Sequence, residues 1–207
     1  MARPRSARRS TPRRTLVVHA HPGDDSLSAA LLDATLSGLD RAGHEVVLQR
    51  LHPDGFRAAM SAEERREYHD EYPPTDPIAR RYADEIGGVE SMVFVYPTWW
   101  FGPPALLKGW FDRVLVHGVA FSLDDDGGLR SHLRHVRRVA GVTTYGSPRW
   151  VVRLSGDGGR RSINRTLRMM CHPRCRTTWH GLYAVDEAEP ATTGAYVREV
   201  EEAFATW

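Results

Sequence analysis

Residues 15–51, TLVVHAHPGDDSLSAALLDATLSGLDRAGHEVVLQRL, decide the fold. The run from Thr15 to His21 is short and β-branched, and it stops at Pro22-Gly23-Asp24-Asp25, a strong breaker. Ser26 has the side chain that caps a helix. Leu27, Ala30, Leu31, Ala34 and Leu39 then recur at helical spacing, and Ala42-Gly43-His44 closes the stripe. Glu45 to Leu51 returns to strand composition. Strand, helix and strand within about 35 residues make one βαβ unit, whose right-handed crossover lays its strands parallel.

Outward from this unit the alternation continues. Residues 52–75 hold Pro53, Gly55, Pro73, Pro74 and the charged run SAEERREYHDEY, and predict a long excursion with a short exposed helix. A helix is predicted from Asp76 to Ile86. Ser91 to Tyr96 is the most apolar strand and should be central and buried on both faces. Residues 106, 107, 110, 111, 114 and 115 are apolar at helical period, with Pro103 and Pro104 ahead of them. Val119 to Leu123 is partly extended, and Asp124 to Gly128 is an acidic turn. Val136 to Thr143 is the fourth strand, 159–170 a helix, Thr177 to Val185 the fifth strand and Thr193 to Phe204 the last helix. Five strands alternating with helices predict an α/β doubly wound sandwich, with ligands at the carboxyl ends of its strands.

Composition bounds the function. The chain has 207 residues, 41% hydrophobic and 26% charged, which excludes a largely disordered or fibrous protein. No run approaches the length of a membrane span. The net charge is +2, and residues 1–14 alone carry six arginines and no acid. A disordered basic tail over 1–14 and one domain over 15–207 are expected. A basic footprint confined to a tail argues against nucleic-acid binding. Leu16 to Val18 is too short for a signal-peptide core, and Cys171 and Cys175 are too close to staple distant segments. The cytoplasm is the expected compartment.

Three loops carry the chemistry-bearing residues. His21, Ser26, Leu27 and Ser28 open the first helix, where free N–H groups and the macrodipole favour phosphate. Neither a Rossmann fingerprint nor a P-loop is present. Trp99, Trp100 and Phe101 follow the third strand between Pro97 and Pro103. Three large aromatic residues there are better explained by stacking on a flat heterocycle than by exposure. Ser155 to Arg161 opens a helix with glycines and arginines, and reads equally as a nucleotide-phosphate contact or a plain Gly-rich loop.

Residues 96–115, YPTWWFGPPALLKGWFDRVL, resemble the NAD(P)H:quinone oxidoreductase family of flavodoxin-like flavoenzymes, whose pattern P-x-x-W-F-G-x-P-A-x-L-K-G-W-[FIL]-[ED]-R-V is nearly intact. The first loop and Thr143-Thr144-Tyr145-Gly146 match as well. The resemblance implies a five-stranded parallel sheet of order 2-1-3-4-5 and a flavin-dependent enzyme reducing quinones or similar aromatic electrophiles by ping-pong hydride transfer. It assigns His21, Ser26, Leu27 and Ser28 to the cofactor diphosphate. Pro97, Thr98, Trp99, Trp100 and Phe101 would hold the isoalloxazine, and Thr143, Thr144, Tyr145 and Gly146 its pyrimidine edge. Phe121, Leu123 and Trp150 would line the substrate side. FAD is expected, with FMN as the alternative. NADPH or NADH would be the hydride donor, and the arginines around 149–168 favour NADPH. A small aromatic electron acceptor is the expected substrate. A homodimer is expected, with residues 52–75, Tyr68, Trp110 and Phe111 as interface material.

This chain departs from the family at Leu27, Ser28 and Tyr145, which replace Phe, Asn and Gly. Val151 and Asp157 stand where family members carry a Tyr and a His, so no proton relay is carried over and the catalytic residues are unknown. Two other readings stand beside this one. The first is a flavodoxin-type electron carrier or sensor. The second starts from Ala20-His21-Pro22-Gly23-Asp24-Asp25, which resembles zinc-dependent N-acetylglucosaminyl deacetylases, with His132 and His135 as distant ligands. No metal is expected on the favoured reading.

Overall fold

The computed structural model describes residues 13–68, 75–124 and 126–207. Residues 1–12, to which most of the expected tail belongs, lie outside it, as do 69–74 and 125. β1 (Arg14–His19), α1 (Leu27–Arg41) and β2 (Glu45–Arg50) form the βαβ unit. α2 (Ala62–Glu67), α3 (Pro77–Ile86), β3 (Ser91–Pro97) and α4 (Ala105–Val114) follow. After β4 (Phe121–Leu123), β5 (Leu129–Ser131) and β6 (Arg138–Thr144) come α5 (Arg149–Leu154) and α6 (Gly158–Arg161). A π-helical stretch (Ser162–Leu167) runs on into α7 (Arg168–Met170), and β7 (Arg176–Leu182) and α8 (Pro190–Ala205) complete the chain. Among the described residues no helix is long and apolar enough to cross a membrane.

The main sheet has five parallel strands in the order β2-β1-β3-β6-β7. The expected order, 2-1-3-4-5, is corrected in its numbering by a short antiparallel hairpin. β4 and β5 pair with each other between the third and fourth strands of the sheet. Three-residue strands around a turn carry too little periodicity to read from sequence.

Alternation along the strands makes two cores. Val17, Val93, Val95, Ala140 and Val142 meet Leu31, Leu39, Val200 and Phe204 of α1 and α8. Leu16, Val18, Met92 and Phe94 meet residues of α3, α4 and the π stretch on the other face. Helices α1 and α8 approach closely because Gly38 has no side chain, and a Cβ there would overlap the Glu201 carbonyl.

The excursion after β2 is fixed by a buried polar network. Ser61 caps α2 in a reciprocal capping box with Glu64. The fully buried Arg113 side chain pairs with Glu64, lies 3.3 Å from Asp76 and donates to the Arg57 carbonyl. Burial alone would raise the Glu64 carboxyl, but hydrogen bonds from Arg113 outweigh it and hold Glu64 below its ordinary value. One turn earlier, the Trp110 indole donates to Gln49 at 2.7 Å. Gly109 lets the Ala58 backbone lie directly on α4. Trp110 is therefore core and offers nothing to a second subunit, contrary to the expectation.

Replacing Arg113 with Met should leave Glu64 without its cation, while Asp76 keeps Arg57. The expected loss is about 3–5 kcal/mol of unfolding free energy, measured by urea titration. Gly109→Ala should lose about 1–3 kcal/mol by overpacking.

Candidate functional site

Order β2-β1-β3 reverses direction between β1 and β3, which opens a crevice at their carboxyl ends. Three loops meet there. The Thr98 N–H donates to the Thr144 carbonyl at 2.8 Å, and the Thr98 and Thr143 hydroxyls lie 2.9 Å apart. The His21 and Trp99 rings are 6.2 Å apart between centroids. A cleft of about 280 Å³ lies between the second and third loops, lined by Thr98, Trp100, Phe101, Tyr145, Gly146, Ser147, Val152 and Asp186.

The aromatic loop is a two-residue hairpin turn. Trp99 and Gly102 exchange both backbone hydrogen bonds at 3.1 Å, and Trp100 and Phe101 between them have φ of 49° and 57°. That is the I′ pattern, which ordinarily takes Asn-Gly. Each bulky residue at positive φ stores about 1–3 kcal/mol of strain. The loop is held from behind, where the Gly158 N–H donates to the Phe101 carbonyl at 3.0 Å. Trp100 is 96% exposed. Strain and exposure together place an aromatic face at the mouth of the cleft.

In the first loop, Ser26 caps α1 by accepting the Ala29 N–H at 3.1 Å. His21 Nδ1 lies 2.8 Å from the Gly23 carbonyl oxygen, 3.0 Å from the Gly23 nitrogen and 3.1 Å from the Ser26 hydroxyl, which pin the ring against the first loop. Ser28 differs from the expectation: its hydroxyl turns inward, 3.1 Å from His19 Nε2. Leu27 packs on the core shared by α1 and α8. Side chains 27 and 28 therefore both turn away from the open end of the helix. Burial, with His21 and Arg50 nearby, depresses His19 to about 4, so it is neutral at pH 7.

In the third loop Tyr145 is buried. Its hydroxyl donates to Asp157 at 3.0 Å, accepts the Trp179 indole N–H at 3.0 Å, and its ring stacks on Tyr183. Asp157 caps α6 with its own carboxylate, so a phosphate reading of residues 155–161 meets a negative charge already in place. Asp186, which sequence reasoning missed, borders Gly146 closely enough that a Cβ there would strike its carboxylate. The one available signal was its place after the fifth strand of the sheet.

Not every expected residue reaches the cleft. Phe121 leans on the core and on His117, and Leu123 is exposed on the β4–β5 hairpin; neither lines the cleft. Trp150 is 69% exposed on α5 in a neighbouring groove with Arg149, Arg153 and Leu154. His132 bonds Ser122 and Gly118, while His135 approaches the Ile86 carbonyl at the opposite end of the sheet. They do not converge on His21, so the zinc arrangement does not assemble.

The residues present fit a flavin. Among the described residues, the N–H groups of Trp100, Phe101, Gly146 and Ser147 take no partner, which leaves four donors around the cleft. Buried His19 Nδ1 and Arg50 Nε are also unpartnered beside the first loop.

A family model described as flavodoxin-like fold (Flavodoxin_2) matches residues 13–202. The chain belongs to this family. Among Flavodoxin_2 relatives, NAD(P)H dehydrogenase [quinone] 1 of Rattus norvegicus is 29% identical over 153 residues, 65% of this chain and 54% of that protein. The match thus spans about half the length of that relative. The fold matches an NAD(P)H:quinone oxidoreductase from Methanothermobacter marburgensis with a TM-score of 0.78 at 23% identity, over 94% of this chain and 98% of that one. It also matches an FMN-dependent NADH-azoreductase from Bacillus anthracis in complex with FMN, TM-score 0.68 at 15% identity, over 93% and 98% of the two chains.

Phe101→Gly should relieve one strained φ and raise stability by about 1 kcal/mol, read by thermal unfolding without added ligand. The same change should weaken binding of a stacked ring.

The pH response of His19 is a separate expectation. The unfolded chain takes a proton at about the ordinary 6.5, the folded chain only at about 4. Between these values the unfolded state binds more protons, so stability falls as pH drops through that window. The contribution is about 3 kcal/mol, and His19→Gln should flatten the slope of unfolding free energy against pH there.

Proposed function

We propose that this chain is a flavin-dependent NAD(P)H oxidoreductase that reduces quinones or related flat electrophiles. The observation that carries the reading is the cleft at the switch point, which a strained aromatic turn shares with the Gly146 and Ser147 N–H groups, these two without a partner among the described residues. A bound flavin would supply two-electron transfer between a nicotinamide and an acceptor. Thr98, Trp100 and Phe101 hold one side of the ring system. The Gly146 and Ser147 N–H groups face the edge where negative charge develops, as preorganised donors. The N-terminus of α1 with His21 takes the phosphates. FAD is the proposed cofactor, with FMN as the alternative, since the first loop can hold either phosphate arrangement.

Arg149 and Arg153 flank Trp150 without a carboxylate partner among the described residues. They suit the 2′-phosphate of NADPH. Exposed Trp100 at the cleft and exposed Trp150 and Leu154 in the neighbouring groove are apolar surface that a flat acceptor or a second copy of the chain would cover. We propose a homodimer in which the partner's β4–β5 hairpin, with its Phe121 and Leu123 equivalents, closes the acceptor side. The acceptor follows the nicotinamide onto the same aromatic face, a ping-pong sequence.

The purified protein should be yellow, and the mass of the released flavin distinguishes FAD from FMN. NADPH should bleach it under anaerobic conditions and benzoquinone should restore the colour. Parallel lines are expected in a two-substrate plot. Trp100→Ala should weaken ring binding by about 1–3 kcal/mol. Yellow protein that neither NADPH nor NADH bleaches would leave the electron-carrier reading instead.

A further inference from the structure

The opposite end of the sheet carries a second feature, which the oxidoreductase reading does not use. Arg13, Arg137, Arg138, Arg174 and Arg176 line one cavity of about 260 Å³ with Glu90 and Ser91. They come from four places: the lead into β1, the start of β6, the 171–175 loop and the start of β7. Backbone bonds fix these starts against one another. Arg137 N–H donates to the Glu90 carbonyl at 2.7 Å, and Arg176 N–H to the Arg137 carbonyl at 3.0 Å. β6 runs from Arg138 to Thr144, so the cavity lies about 20 Å from the cleft at the other end of the same strand.

None of the five guanidiniums has an ion-pair partner among the described residues; every ion pair there uses other cations. Five guanidiniums against one carboxylate leave a formal +4 around a concave space. Burial and the repulsion between these cations act in the same direction. Burial, then Arg13 and Arg176, lower the Arg138 pKa, and burial, then Arg137, Arg174 and Arg134, lower that of His172. The charge is regional. Residues 128–182 contain twelve arginines and a single acid, Asp157, although the whole chain is only +2.

Like charges gathered in a concavity without counter-ions are stabilised by a ligand that supplies the missing charge. We propose that this cavity binds a compact polyphosphate group carrying three or more negative charges. The guanidinium forks suit paired phosphate oxygens. The small volume favours a compact anion over a nucleic-acid strand, and no aromatic ring lines it for base stacking. The proposal does not depend on the flavin reading.

The test is calorimetric titration of the full chain as purified, using sodium tripolyphosphate, with sulfate and orthophosphate at matched ionic strength. One molecule of tripolyphosphate per chain should bind at least tenfold more tightly than sulfate, with no flavin released. Exposed Arg137→Gln and Arg174→Gln should each weaken it about tenfold, whereas Arg65→Gln on α2, which does not line the cavity, should leave it unchanged. Sulfate binding equally well, more than one bound anion per chain, or parent-like affinity in the Arg137 and Arg174 variants would overturn the proposal. So would a single-stranded oligonucleotide that binds more tightly than tripolyphosphate and loses that affinity in the same two variants.

Discussion

Arg113 is a cation that the fold has removed from water, and much of the molecule is arranged to make that tolerable. Its side chain is fully buried and meets Glu64, Asp76, the Arg57 carbonyl and the Phe56 ring. Desolvating a guanidinium is costly, and only good geometry offsets it. Here the partners all come from the excursion that leaves the sheet after β2. The ion cluster therefore ties a long, locally unstable segment to α4. Helix α4 begins two residues after the Trp99–Gly102 turn, so anchoring it also anchors the aromatic loop. The Gly-Trp-x-x-Arg part of the 96–115 motif is thus explained by packing, and the Thr-Trp-Trp-Phe part by the cleft.

The cleft inherits its precision from the sheet. Pairing of β3 with β6 brings Pro97 opposite Thr144, and one further hydrogen bond carries that register into the loop at Thr98. A site built on strand ends and a tied turn needs little rearrangement to receive a flat ring. The same economy explains how a residue as large as Tyr145 fits in the third loop. Its side chain leaves the cleft surface and joins Asp157 and Trp179 inside.

Much of this was legible in the sequence. The βαβ unit, the Ser26 cap and the buried β3 strand announce themselves through breaker residues, a capping hydroxyl and an unbroken apolar run. The three loops do meet at one end of the sheet, because each follows the carboxyl end of a parallel strand. What stayed hidden depends on orientation or on contacts distant in sequence. Nothing local says that the Ser28 hydroxyl turns to His19, that Phe121 packs inward, or that Asp186 closes on Gly146. Helix α5, six residues long, is too short to declare a period. The arginines around 149–168 were legible in the sequence, but the gathering of Arg13, Arg137, Arg138, Arg174 and Arg176 at the other end of the sheet depends on strand pairing.

Those arginines make the overall charge a poor guide to how the molecule behaves. A net +2 is the difference between +11 over residues 128–182 and −9 over all others. Charged surfaces respond to the face the molecule presents rather than to the sum. It should adsorb to a cation-exchange resin even at a pH near its isoelectric point of about 8.7. Its self-association should rise as salt falls, because the arginine-rich side of one molecule finds the acidic side of another within the lengthened screening distance.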